Sequence, residues 1–505
     1  MYAQSGRIAS MALYVIFPKS VRLFRPLALW PTGTLNDTGE TTVKLSRENP
    51  SNPPVAIASF YQICYTTHMT TSNYKSRIAD FVLKDKLSYM GAVLVRGPKW
   101  CGKTTTCEQI AKSAIYMDDP ELMEQNRNYA SINVKDLLRG ARPRLIDEWQ
   151  LAPQFWDGVR FEIDHSMGFG HFILTGSSVP VETDFDAKPE IRKVHHTGTG
   201  RIARMTMRTM SLFESGESSG EVSLGSLLRC ETFSGAKAQS MRLDDIAFLV
   251  CRGGWPVAVG IEARRRALRY AHEYYEAVTE SDISRVDGVP RNPERVRKLM
   301  RSYARLQGTQ AKISAIRSDM SAHDSGDMGD NAIREYVNAL RRIFVVEDLS
   351  AWSPSLRSKS VVRTSDTRYF VDPSIMTVAL GAKPETLLAD LRTLGFAFET
   401  LAVRDLRVYA DALGGEVRHY LDRNGLECDA IVSDEEGNYG LVEIKLGGDE
   451  LIGNGASTLD RLAAKIDVGR MNPPAFKMVL TAVGDYAYIR KEDGIIVCPI
   501  AALRP

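Results

Sequence analysis

Gly97-Pro98-Lys99-Trp100-Cys101-Gly102-Lys103-Thr104 fits the phosphate-binding pattern G-x-x-x-x-G-K-[ST] at every fixed position. Just before it, Ala92-Val93-Leu94-Val95 reads as a short buried strand, and Thr105 to Ile115 reads as a helix, so strand, loop and helix come in the order the pattern needs. Such a turn aims backbone N–H groups and a helix N-terminus at a chain of phosphates. Lys103 then meets the outer phosphates and the Thr104 hydroxyl holds Mg²⁺, with Gly97 to Thr105 as the ATP contact. The bland alternative is a glycine turn that happens to precede a helix.

Two downstream stretches supply what a nucleotide hydrolase needs beside that loop. Arg144-Leu145-Ile146-Asp147-Glu148 ends a short apolar strand in an acidic pair: Asp147 would bind Mg²⁺ through water or through Thr104, and Glu148 would orient and deprotonate the attacking water. The alternative is a strand end followed by the acidic start of a helix. His171 to Leu174 reads as another strand, and the Thr175-Gly176-Ser177-Ser178 cluster after it faces the ligand side of a parallel sheet, where Thr175 or Ser177 would sense the γ-phosphate or position water. In Gly198 to Arg208, alternation puts Arg204, Thr206 and Arg208 on one face and Met205 and Met207 in the core. Arg201 and then Arg204 are the candidates for an arginine that reaches the γ-phosphate, in cis or from a neighbouring subunit; paired surface arginines are the alternative.

At 505 residues the chain has room for about three domains. A net charge of +2 excludes a polycation that must find nucleic acid, so any basic patch is local. The seven cysteines form no C-x-x-C pair and no zinc spacing, which fits a reducing cytoplasm. The apolar run Met11 to Phe17 falls far short of the ~20 residues that span a bilayer. Residues 1–68 carry Arg7, Lys19, Arg22 and Arg25 before the first acid, Asp37, and weakly imitate a targeting peptide. They read better as an unstructured extension from a start placed upstream of Met69.

GPKWCGKTTT, RLIDEWQ, FILTGSS and GRIARMTMRTMSLFE, in this order, resemble the uncharacterised prokaryotic AAA-type ATPases that carry a C-terminal domain of unknown function. The resemblance runs from about Tyr74 to the C-terminus. It implies ATP binding and hydrolysis on a sheet with the AAA-type strand order, and no particular substrate. The lid arginine of many AAA proteins has no counterpart in these motifs.

The Gly/Ser-rich stretch Ser215 to Ser226 marks the end of the ATPase core, expected over 69–225. In 226–390, Arg264, Arg265, Arg266 and Arg269 open a helix. Two amphipathic helices follow, Pro293 to Leu306 with a basic exterior and Asn331 to Arg342 behind an Asp330 cap, and then two short strands, Phe344 to Val346 and Arg368 to Val371. Two helices and a β-wing suggest a winged helix, a fold that contacts DNA in some proteins and partner proteins in others.

In 391–505 the expected order is a helix (Phe396 to Val408), three strands (Val417 to Leu421, Cys428 to Val432, Tyr439 to Leu446), a helix (Thr458 to Ile466) and a strand (Lys477 to Leu480). This α-β-β-β-α-β order resembles the PD-(D/E)XK nuclease-like core. Glu443 and Lys445 are two apart and project together from one strand. The resemblance implies Asp429 and Glu443 as Mg²⁺ ligands, Lys445 as the stabiliser of hydroxide and transition-state charge, Glu399 as a fourth ligand and Glu427 as a supplement. A retained fold whose Asp429 and Lys445 form a structural ion pair is the alternative.

Three functions remain open from the sequence. The first is an ATPase that couples nucleotide to a DNA- or partner-binding region. The second is an ATP-gated Mg²⁺-dependent nuclease, and the third an interaction protein that binds ATP for stability.

Overall fold

The structure, a computed structural model, describes residues 74–178, 198–323, 328–353, 365–469 and 471–505, together with the backbone of 32–35 and 41–44. Met1–Cys64 and Tyr65–Pro505 are separate compact units. In the first, Thr32–Leu35 and Thr41–Lys44 pair as an antiparallel hairpin where an unstructured extension was expected. The rest of that extension lies outside the described residues.

In the second unit, strands β1 (Ala92–Arg96), β2 (Ser113–Tyr116), β3 (Arg144–Asp147), β4 (Phe172–Gly176) and β5 (Ile202–Thr206) form a fully parallel sheet in the order β2-β3-β4-β1-β5. Val93 and Val95 pack towards helix α1 (Ile78–Tyr89), while Ala92 and Leu94 pack towards α3 (Met123–Leu137) and α4 (Gln154–Asp164). Burial on both faces is why β1 is a continuous apolar run. Helix α2 covers only Lys103–Glu108, and Ile115, expected at its end, lies in β2. Four residues of Ser-Ala-Ile-Tyr gain a parallel ladder against β3, which the sequence-distant partner provides and local propensity does not reveal. Helix α3 arises in a stretch that reads only as polar.

The middle segment is helical: α5 (Leu243–Arg252), α6 (Arg264–Ala277), α7 (Pro293–Arg305), α8 (Ile313–His323) and α9 (Asp330–Arg342). Asn292 caps α7 by accepting from the Arg295 N–H, with Pro293 at the first turn where no N–H is needed. Three helices rather than two precede the extended pair, which is reduced to bridges at Val346–Phe370 and Leu349–Thr367.

After α10 (Pro373–Ala379), the 22-residue α11 (Leu391–Ala412) lies against a second sheet built from β6 (Glu416–Leu421), β7 (Glu427–Ser433), β8 (Tyr439–Lys445), β9 (Phe476–Thr481), β10 (Tyr486–Ile489) and β11 (Ile496–Pro499). Its order is β6-β7-β8-β9-β11-β10, closed by the two-residue strand Ala236–Lys237. Helix α12 (Asp449–Ala463) crosses β8, and a Cβ on its Gly455 would stand 3.3 Å from the Glu443 Cβ. The expected α-β-β-β-α-β order is therefore present, extended by β10 and β11. One apolar cluster runs from Leu212 to Leu503 and joins α5–α11 to the second sheet. Among the described residues no helix is long and apolar enough to cross a membrane.

Candidate functional site

The phosphate loop leaves β1 through Gly97 and enters α2 at Lys103, with Gly102 in the left-handed region (φ 97°) and Trp100 held there as well (φ 65°). Glycine takes that conformation freely and tryptophan does not, so Trp100 is held by its contacts. Its ring lies 5.2 Å from Tyr270 and 5.6 Å from Tyr274 of α6, and Lys99 beside it pairs with Asp282 at 2.6 Å. From the other side the buried Arg77 donates to the Cys101 and Arg208 carbonyls and pairs with Glu214 at 2.9 Å. Glu214 is fixed in turn by the capping box Ser211–Glu214. Within the loop, Lys103 Nζ donates to the Gly97 and Pro98 carbonyls at 3.0 and 2.9 Å.

The ends of β3 and β4 stand beside that loop and share one hydrogen-bond network. Thr104 Oγ1 donates to Asp147 Oδ1 at 2.9 Å and Thr175 Oγ1 to the same oxygen at 2.5 Å, while the Glu148 N–H donates to Thr175 Oγ1 at 3.1 Å. Ser177 Oγ donates to Glu148 Oε2 at 2.9 Å, and Gln150 Nε2 also donates there. Glu148 itself is left-handed (φ 51°), a kink directly after Asp147, the last residue of β3. Burial pushes the Asp147 carboxyl up to about 6; the Thr175 and Thr104 hydroxyls oppose this, and Glu148 and Asp118 add to it. A hydroxyl and a carboxylate side by side are the hard oxygen donors Mg²⁺ takes when phosphates and water complete its shell, so Thr104 and Asp147 fit that ion. Gln150, Tyr270, Tyr274 and Asp282 carry no local motif and the sequence reading missed them. Only Glu214 was signalled, by the Ser-x-x-Glu spacing of its cap.

Within its own chain Arg201 does not meet the phosphate loop. Strand β5 runs parallel to β1, so residue 201 sits at the sheet end opposite the loop, where its carbonyl accepts from the Ala92 N–H and its guanidinium pairs with Asp164 at 2.7 Å. Five residues of strand, roughly 16 Å, separate it from the phosphate loop of its own chain. Arg204, level with Leu94, lies over the Trp156 ring at 5.6 Å. Alternation places side chains on a face but does not say which end of the sheet they reach. Arg208 is instead buried, pairing with Glu347 at 2.5 Å and Asp411 at 2.6 Å.

On the second sheet, Lys445 Nζ lies 2.6 Å from Glu443 Oε2 and 3.0 Å from Asp429 Oδ2, and Asp429 Oδ2 also accepts from the Ile444 N–H at 2.7 Å. Burial and then Asp429 push Glu443 up to about 8 against the pull of Lys445, and burial and then Asp429 also raise Glu399 well above the usual carboxyl range. Two middle-segment residues enter this cluster: the Tyr369 hydroxyl donates to Glu399, and Gln310 Nε2 donates to Glu427 at 3.0 Å. Among the described residues no group of three or more His, Cys, Asp and Glu side chains is gathered to hold a metal. Lys445 occupies the space between two carboxylates that a cation would take.

On the middle segment the expected basic exterior is partly neutralised. Arg305 pairs with Asp319, Arg297 with Glu276 and Arg264 with Asp245, whereas Arg265, Arg266 and Arg269 of α6 are exposed.

No curated protein sequence matches the chain. Among solved structures that match is the Walker-type ATPase PABY2304 of Pyrococcus abyssi, at 12% identity over 61% of this chain and 96% of that one, with a TM-score of 0.36. Residues 243–386 match a family described as a domain of unknown function (DUF8612). Residues 90–215, which hold the phosphate loop, the acidic pair and the Thr175–Ser177 cluster, match the family model of an AAA domain and are similar to a P-loop ATPase of that type.

Proposed function

We propose that the chain binds ATP with Mg²⁺ at Gly97–Thr105 and hydrolyses it, and that the outcome is passed to the helical middle and C-terminal segments. The observation that carries this reading is the network joining Thr104 at the start of α2 with Asp147, Thr175, Glu148 and Ser177 at the ends of β3 and β4. Lys103 would neutralise the outer phosphates, Thr104 and Asp147 would hold Mg²⁺, and Glu148, steered by Ser177 and Gln150, would orient and deprotonate water. Bound Mg²⁺ supplies charge neutralisation at the phosphates. Calorimetry with ATP and a phosphate-release assay test it: Lys103→Ala abolishes binding, and Glu148→Gln retains binding while losing turnover by ~100-fold or more. Normal hydrolysis by Glu148→Gln would remove Glu148 from the mechanism.

A second reading, a gated nuclease with the PD-(D/E)XK arrangement, is favoured by the meeting of Asp429, Glu443 and Lys445 at the expected strand positions. It requires a divalent cation to displace Lys445 from its carboxylates. Mg²⁺-dependent nicking of plasmid by the wild type and not by Lys445→Ala supports it, and absence of nicking with and without ATP rejects it. Helices α7–α9 and the bridged pair behind them support a winged-helix reading of the middle segment, with the exposed Arg265, Arg266 and Arg269 of α6 as a cationic surface beside it in sequence.

A further inference from the structure

Arg96 is the last residue of β1 and directly precedes the phosphate loop, yet its side chain lines a different space. A cavity of about 280 Å³ opens between the β1–β5 edge and the middle segment, bounded by Arg96, Thr206, Phe344, Val346, Asp366 and Val371. Lys103, Thr104, Asp147, Glu148 and Thr175 do not line it.

The charges around this cavity are unevenly matched. Glu347 on its wall is taken by Arg208 and Arg407, and Asp348 by Arg341 and Arg368. Among the described residues the Arg96 side chain has one hydrogen bond, from Nε to Thr206 Oγ1 at 3.3 Å, and no ion pair. Burial, then the neighbouring Arg204, press its guanidinium below the usual range, with Glu347 opposing and Arg208 adding to the pressure. A guanidinium does not give up its proton under such pressure, so the site gains from an incoming anion. The walls are apolar at Val346 and Val371. Phe344 presents its ring 6.0 Å from the Arg96 guanidinium from a left-handed backbone (φ 58°) that a bulky residue rarely adopts. Asp366, with no hydrogen bond or ion pair to the described residues, is an open acceptor on the same wall.

We propose that this cavity is a second ligand site, separate from the phosphate loop, for a small oxyanion on a flat ring: a phosphate ester or carboxylate bound by Arg96, with its ring against Phe344 and a hydroxyl or amino donor facing Asp366. Arg96 is bonded through its carbonyl to the Met207 N–H and is followed by Gly97, so a ligand that takes its side chain acts on the residue from which the phosphate loop departs. The ligand is thus an effector of the ATP site.

Phenyl phosphate and inorganic phosphate serve as probes in calorimetry on the full chain. Phenyl phosphate is expected to bind Lys103→Ala, to bind more tightly than inorganic phosphate, and to weaken by about tenfold or more in Arg96→Gln, the loss of one charge-assisted contact. It is also expected to bind wild-type protein whose phosphate loop is already saturated with a non-hydrolysable ATP analogue, a measurement that needs no variant. Loss of binding on saturation or in Lys103→Ala assigns the anion to the phosphate loop and overturns the proposal, as does the absence of binding to any of these forms.

Discussion

Asp147 is a buried carboxylate that two hydroxyls hold in the direction a cation must approach, and its proton competes with that cation. With its carboxyl raised to about 6, the protonated form contributes to the stability of the nucleotide-free protein below the ordinary carboxyl range, and that contribution is lost as pH rises through about 6. Mg²⁺ requires the opposite state. Affinity for Mg·ATP should therefore fall as pH drops below about 6, by about tenfold near pH 5 relative to pH 7. Calorimetry across that range checks this against Asp147→Asn, in which only the nucleotide's own titration remains; identical pH profiles for the two proteins would exclude Asp147 as the ionising ligand. The loop, the acidic pair and the Thr175–Ser177 cluster were legible because each is a run of adjacent residues at the end of one strand. Asp282, Tyr270 and Tyr274 were not, since their place beside Lys99 and Trp100 depends on how α6 folds back some 170 residues later in the chain.

Among the elements, α11 joins the first sheet to the second. Its Asp411 takes Arg208 from the end of β5, its Arg407 donates to the carbonyls of Glu347 and Asp348, and its Asp405 accepts from the Leu212 N–H. Burial pushes the Glu347 carboxyl up, and Arg208 and Arg407 beside it overcome this and hold it at about 2. The stability it contributes is present above the usual carboxyl range and is lost as pH falls towards 2. Arg208→Met should cost about 3 kcal/mol in denaturant unfolding, because it takes the paired cation from Asp411 and leaves Glu347 to Arg407 alone at a partly closed interface. Arg208→Met with Glu347→Gln should cost less than the sum of the two single changes by about 1 kcal/mol or more, whereas additivity would show that the pair carries no coupling. The helix was legible from its apolar spacing, and so were β6–β9. Strand β2 was misread because a four-residue Ser-Ala-Ile-Tyr segment has no period of its own, and α3 because a polar helix on the surface shows little contrast with a loop.

For the whole molecule, the sequence suggests three segments in succession, and the apolar core does not respect those divisions. Leu503 near the C-terminus pairs with Val222 at the end of the ATPase segment, Ala236–Lys237 extends the second sheet at β10, and Leu394, Phe398, Leu401, Leu406 and Tyr409 of α11 are buried in the same cluster as Trp255 and Tyr303. Composition and turn signals locate linkers, but nothing local says that a late helix returns to fill an earlier cavity. A chain ending at Ala389 would keep every ATPase motif and lose those five side chains. At ~1.5–3 kcal/mol for each large apolar group, the loss is on the order of 10 kcal/mol, comparable to the whole stability of an ordinary fold. It would also leave Asp372 without Arg404, its buried cation partner. The truncated chain is expected to aggregate or to melt without a cooperative transition, and to bind ATP poorly although residues 90–215 are intact. Solubility, a thermal melt and ATP calorimetry on chains ending at Ala389 and at Pro505 measure this. A truncated protein that melts cooperatively and binds ATP as the full chain does would show that the ATPase segment folds independently of α11.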